Sequence, residues 1–223
     1  MREPHILFCT DGGPLDPWFW KRYGSREAYS RMREKEARLA LEALGITHVE
    51  FLKTRSGESI IDQQLFERLS DAVPAVSDVV TRIRPDAVLT LAYEGGHPDH
   101  DSCSFITSIV AREQSLPAWE MPIEPLFKKV QRKWQTLLQP AQPAITIRPT
   151  SEEIDRKQRA LDAYASQGSF TGIANVEERF RPLPAYDYTR RPHHDVLNYE
   201  SWQWKMTGDQ VSAAFETYLA AHD

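Results

Sequence analysis

Cysteine is almost missing from this chain: Cys9 and Cys103 are the only two in 223 residues. Two thiols in apolar or helical surroundings make no disulfide framework, and the expected setting is a reducing cytoplasm. Long apolar runs are missing too, and none approaches the ~20 residues that a membrane-spanning helix needs. The opening Met1-Arg2-Glu3-Pro4-His5-Ile6-Leu7-Phe8-Cys9 is too briefly apolar for a signal peptide and reads as a strand. Positive charge is not in excess. The net charge is −5 and the pI about 5.8, with no Lys/Arg-dense stripe, which argues against a nucleic-acid surface. No Gly-x-Gly-x-x-Gly follows a candidate strand, and Thr10-Asp11-Gly12-Gly13 does not meet that spacing, so a dinucleotide loop has no carrier. Repeats, low-complexity tracts and clear linkers are also absent. What remains is ordinary globular composition, 41% hydrophobic and 26% charged, and the expectation is one α/β domain over residues 1–223.

The hydrophobic pattern alternates between strand and helix. Ile6 to Cys9 reads as a buried strand that ends in the turn Thr10-Asp11-Gly12-Gly13-Pro14. Asp11 can reach a site at that strand's carboxyl end or cap its own turn. The aromatic stretch Leu15 to Gly24 reads as a packing loop or a pocket cover. Ser25 caps a helix that Gly45 stops, and Thr47 to Leu52 is the next strand. Arg33 and Glu36 share a face of that helix, where such pairs are usually solvated ion pairs. Leu65 to Ile83 reads as a second helix, bent or split by Pro74. Asp86 to Leu91 is a strand, and Asp101 to Arg112 the helix after it. Strand, helix, strand, helix, strand, helix predicts a Rossmann-like, mostly parallel three-layer sheet with helices on both faces. Beyond Leu116 the pattern loosens: Pro117 to Lys129 and Ala144 to Ile147 suggest strands, Glu152 to Tyr164 a helix capped by Thr150 or Ser151, Pro182 to His194 a surface loop, and Gly208 to Ala221 a last helix.

The chemistry is concentrated in Glu94-Gly95-Gly96-His97-Pro98-Asp99-His100-Asp101, where the strand through Leu91 ends. Ligands bind at the carboxyl ends of strands in open α/β sheets. Two glycines and a proline hold such a loop in a defined shape. His-x-x-His brings two imidazoles that bind a metal or move protons near neutral pH, and neighbouring aspartates can fix their tautomers.

His97-Pro98-Asp99-His100 after a strand resembles the second signature of the PIG-L/LmbE-like zinc-dependent N-deacetylases. Thr10-Asp11-Gly12, Arg33-x-x-Glu36-x-x-x-Ala40-x-x-x-Leu44-Gly45, and Lys157 through Ala160-Leu161 to Tyr164-x-Ser166-Gln167 resemble further parts of that family, in its order. The resemblance implies metal-assisted hydrolysis of the acetamide of an N-acetylated amino sugar or a related small amide. It implies Zn2+, or another divalent metal such as Fe2+, with His100 as ligand and His97 as the protonated partner of the oxyanion or leaving amine, oriented by Asp99. It also implies Arg33 as a substrate-facing residue, and Glu94 and Asp11 are taken as substrate-side candidates. The partner is a small N-acetylated molecule; no nucleic acid and no membrane span are expected, and a homo-oligomer stays open.

One departure matters. The family's first signature, His-Pro-Asp-Asp-Glu, carries a His ligand, an Asp ligand and the Asp base, and these 223 residues contain His-Pro only at His97-Pro98. The first strand–helix unit is accordingly expected to be absent, and activity of this form to be impaired. A longer protein whose start lies upstream is the first explanation. The second is a non-catalytic relative that binds a carbohydrate or an anion. The third is a metal site completed by Asp11, His193 or His194.

Overall fold

The computed structural model describes residues 3–123, 126–128, 131–133, 137, 143–168 and 173–222. In chain order the elements are β1 (His5–Phe8), α1 (Pro17–Trp20), α2 (Arg26–Leu44), β2 (His48–Phe51), α3 (Leu69–Ile83), β3 (Val88–Leu91), α4 (Pro98–Glu113) and β4 (Ala118–Met121). They continue with β5 (Leu126–Lys128), β6 (Gln131–Lys133), β7 (Ile145–Ile147), α5 (Ser151–Asp162), β8 (Glu178–Pro182), α6 (Asn198–Ser201) and α7 (Gly208–His222). No helix among the described residues is long and apolar enough to cross a membrane. The chain divides into two compact units, Met1–Asp62 with Arg148–Glu177, and Gln63–Ile147 with Glu178–Asp223.

The first unit contains a β–α–β crossover. β1 and β2 are parallel, with His5 opposite His48 and Phe8 opposite Phe51, whose rings stack at 4.9 Å. α2 between them starts where the Ser25 hydroxyl accepts the Ala28 N–H and stops at Gly45, which takes the left-handed conformation that glycine adopts without penalty. α2 packs against α5 through small buried residues, Ala37 and Ala40 on one helix and Ala160 on the other. Glu36 is no solvated ion-pair partner. It is buried, and its two carboxylate oxygens accept the Ser166 N–H at 2.8 Å and the Ser166 hydroxyl at 2.7 Å. A buried carboxylate persists only when such donors replace its water.

The second unit repeats the crossover. β3 and β4 are parallel with α4 between them, and β8 then β7 extend this sheet in antiparallel fashion, giving the order β3-β4-β8-β7. An antiparallel extension of a parallel sheet is common in α/β folds. β8 goes unread in the sequence because Glu-Arg-Phe-Arg-Pro shows no clean apolar alternation. Arg181, 1% exposed, is carried inward by a 2.7 Å pair with Glu120, which is fully buried and also accepts the Tyr186 hydroxyl at 2.8 Å. Removing one partner of such a pair costs roughly 3–5 kcal/mol, because the other charge is left alone. The helices α3, α4 and α7 close an aromatic core in which Phe105 and Phe215 stack at 4.4 Å.

Several sequence expectations change here. α3 runs unbroken from Leu69 to Ile83 with Pro74 inside it, held by a buried face that includes Ala72, Val73, Val76 and Val80. Residues 182–194 are not simply a surface loop, since Tyr188 is buried against Phe105 and its hydroxyl meets Ser104 Oγ at 2.9 Å. Leu15–Gly24 contains the short helix α1, capped by Asp16. The strand expected over Pro117–Lys129 is found at β4 and β5, and its residues 124, 125 and 129 lie outside the described residues. α4 begins at Pro98, three residues earlier than expected, so the His-Pro-Asp-His motif forms the helix's cap and first turn. Pro98 suits that first position, where its missing N–H loses nothing.

Candidate active site

The second unit gathers the motif around the end of β3. Residues 92–96 are all buried, and three carboxylates set the loop's shape. Asp101, wholly buried, accepts the N–H groups of Glu94 at 3.1 Å and Gly95 at 3.0 Å through Oδ1. Asp99 accepts the Gln63 N–H at 2.7 Å and the Leu65 N–H at 3.1 Å. Glu94 Oε1 accepts the Ile123 N–H at 3.0 Å. Gly95 has φ +71, and a Cβ there would lie 2.5 Å from Leu197 Cδ2, so both backbone and space demand glycine.

The imidazoles stand differently. His97 and His100 are partly exposed, and their rings stack at 4.8 Å. His97 is the cap of α4: its Nδ1 accepts the Asp99 N–H at 3.1 Å. A ring nitrogen that accepts carries no proton, so neutral His97 keeps its proton on Nε2. Asp99 thus meets this ring through its backbone N–H, while its carboxylate serves Gln63 and Leu65. Trp204 approaches the His97 ring edge-on at 5.1 Å.

Residues 190–200 fold onto this loop, in keeping with the expectation that His193-His194-Asp195, flanked by Arg190-Arg191-Pro192, lies near a pocket rim. Asn198 donates its N–H to the Gly95 carbonyl at 2.9 Å, and the Tyr93 hydroxyl donates to the Arg190 carbonyl at 2.7 Å. His193 hydrogen-bonds the Glu94 backbone, and burial holds its pKa below the ordinary imidazole value, against the pull of Asp195. The two arginines here are paired differently: Arg190 with Asp187 at 3.1 Å on the exposed surface, and the largely buried Arg191 with Glu200 at 2.6 Å. Although burial opposes it, the N–H groups of Gly208 and Leu197, together with Arg191, hold the Glu200 carboxyl below its usual range.

Asp11 and Arg33 come together in the first unit. Asp11 accepts the N–H of Gly13 at 3.0 Å and of Asp62 at 3.3 Å, and pairs with Arg26 at 2.6 Å. Arg33 donates to the Gly12 carbonyl at 3.2 Å, its stem packed where Gly12 has no side chain.

A cation would find a partial donor set in the His loop. His100 and His97 supply imidazole nitrogen, the donor type that zinc and ferrous iron favour. The carboxylates beside them already accept backbone N–H groups, and catalytic zinc sites use three protein ligands.

Strand–helix–strand crossovers make this an α/β protein, and its imidazole pair follows a strand's carboxyl end, where ligands bind in open α/β sheets. Residues 2–111 match the family described as GlcNAc-PI de-N-acetylase (PIG-L). Among curated proteins it is 26% identical over 147 residues to a probable N-acetyl-alpha-D-glucosaminyl L-malate deacetylase 2 of Bacillus cereus, covering 65% of this chain. The match spans 61% of that relative's length. Two solved structures share the fold. The zinc-inhibited form of the teicoplanin deacetylase Orf2 has a TM-score of 0.60 at 16% identity, covering 82% of this chain and 87% of that one. The A40926 pseudoaglycone deacetylase Dbv21 has a TM-score of 0.59 at 17% identity, with the same coverage.

Proposed function

We propose that the protein is a metal-dependent hydrolase that removes the acetyl group from an N-acetylated amino sugar or a related small amide, with residues 1–223 acting as one PIG-L-type domain. The observation that carries this reading is the stacked His97–His100 pair in the first turn of α4, inside the family-matched segment. His100 is the metal ligand in this proposal, and Zn2+ or Fe2+ the cofactor. Such a cation, when bound, supplies Lewis acidity and lowers the pKa of its water. His97 donates from Nε2–H to the oxygen of the acetamide as negative charge develops there. Its proton is held at that atom because Nδ1 is engaged by the Asp99 N–H. The positive end of the α4 dipole favours the same charge. Asp99 acts as a positioning residue for the cap, and Asp101 holds the loop. Arg33 keeps its place as a substrate-facing candidate. Asp11 and Glu94 serve their own turns through the bonds described.

The missing first signature favours a second reading, a relative that binds an N-acetyl sugar without hydrolysing it. The test is amine and acetate release from N-acetyl-D-glucosamine and its methyl β-glycoside, with Zn2+, Fe2+ or a chelator added to the purified chain. Hydrolysis that requires metal and disappears in His100→Ala supports the first reading. Saturable glycoside binding with no acetate released under any of these conditions supports the second.

A further inference from the structure

We propose that Trp202 and Trp204 form a stacking platform for a pyranose ring beside His97, with Trp202 as the residue that selects the ring. The inference rests on the amide-hydrolase reading for the role of that ring as substrate, and on the geometry below for the platform itself.

The two indoles are brought together by the way α6 ends. The Trp202 N–H donates to the Asn198 carbonyl, Gln203 to Glu200, and Trp204 to Tyr199, which closes the last turn. This closure puts Gln203 at φ +60, the left-handed conformation usually given to glycine or asparagine at a helix C-terminus. Unfavourable backbone conformations of non-glycine residues persist where surrounding structure holds them, and they concentrate at functional sites. Here the consequence is local: residues 202 and 204, two apart, have ring centroids 4.9 Å apart at 53°. Trp204 is partly buried, its ring T-shaped to that of His97 at 5.1 Å. Trp202, on the outer side of the pair, is 38% exposed.

The platform is fixed relative to the imidazoles. α6 is tied to the His loop through Asn198 and Gly95, Leu197 fills the space above Gly95, and Glu200 is clamped by Arg191 and the Gly208 N–H. Rigid indoles lose little conformational freedom when they bind. The C–H face of a pyranose is polarised by its hydroxyls and packs on the negative face of an indole. Ser201, Gln203 and Lys205 around the pair are exposed and polar, the rim that hydroxyl groups require.

The test uses the full chain, Trp202→Ala and Trp202→Phe, with melting temperatures showing that each variant is folded. The probe is N-acetyl-D-glucosamine methyl β-glycoside, measured by calorimetric titration and by acetate release. The expected result is at least fivefold weaker binding in Trp202→Ala, recovery to within twofold in Trp202→Phe, and a raised KM with kcat within twofold. Binding by Trp202→Ala equal to the original chain overturns the platform, as does a failure of the original chain to bind the glycoside. Trp202-dependent binding without acetate release would remove the hydrolase reading and leave the platform standing. Hydrolysis with KM unchanged in Trp202→Ala would do the reverse.

Discussion

The turn after β1 and the loop after β3 both gather aspartate and glycine at the carboxyl end of a strand, and they use them to different ends. After β1, Asp11 is tied to two N–H groups and to the Arg26 guanidinium, a cation from the following helix. After β3, the Asp99 and Asp101 bonds described above are all to backbone N–H groups, with no arginine among those partners. The first turn is neutralised by an ion pair. The second sets its carboxylates in the same loop as two partly exposed imidazoles, groups that together can draw a cation. In both, the carboxylates make the shape; only the second presents residues of another chemistry on top of it.

His100→Ala breaks this contrast most sharply. Acetate release should fall about 100-fold or more, and any bound divalent metal measured by mass spectrometry should be lost, with little change in melting temperature. Turnover close to the original would mean that His100 is not the ligand. Next in size, Asp101→Ala leaves the N–H groups of Glu94 and Gly95 without their acceptor in a buried loop, and urea unfolding should show a loss of roughly 2–4 kcal/mol. Gly95→Ala should cost about 1–3 kcal/mol through its left-handed backbone and the encounter with Leu197, and should lower turnover although no reacting group changes. Asp11→Asn, in an ion pair whose side chains are only 9% and 20% exposed, should cost about 1–3 kcal/mol. If Asp11→Asn proves as damaging to turnover as His100→Ala, the two turns do the same work and the contrast fails.

The smallest effect expected is in pH dependence. The His193 pKa is depressed in the folded chain, so the unfolded state takes up protons first as pH falls. The stability this residue contributes is therefore present above its unfolded pKa and is lost as pH falls through the depressed one. Melting curves between pH 7.5 and 5 should show a decline that His193→Gln reduces. An identical decline in that variant would place the effect in other groups.

How much of this was legible in sequence varies from residue to residue. The β3 strand, the glycine pair and the His-Pro-Asp-His motif are local signals, and they place the imidazoles correctly at a strand end. The helix start was misplaced because proline reads as a breaker unless it is recognised at the first helical position, where it is favoured. β8 was invisible because its inward residue is an arginine, and only Glu120 on a neighbouring strand makes that acceptable. The placing of residues 190–195 near the site was legible, but the pairing that holds them was hidden for a similar reason. Arg191 reads as a solvent residue until Glu200, nine positions on, takes its charge.

The sequence by itself determined the period of each strand and helix, the loop's backbone conformation through Gly95 and Pro98, and the presence of two imidazoles three residues apart. These follow from torsional preference and spacing, which act within a few residues. Tertiary structure decided which charged groups are buried, which carboxylates are bound to backbone, and which aromatic rings stand beside His97. Those outcomes depend on partners distant in the chain, and the cost of burying a charge is set by what meets it there.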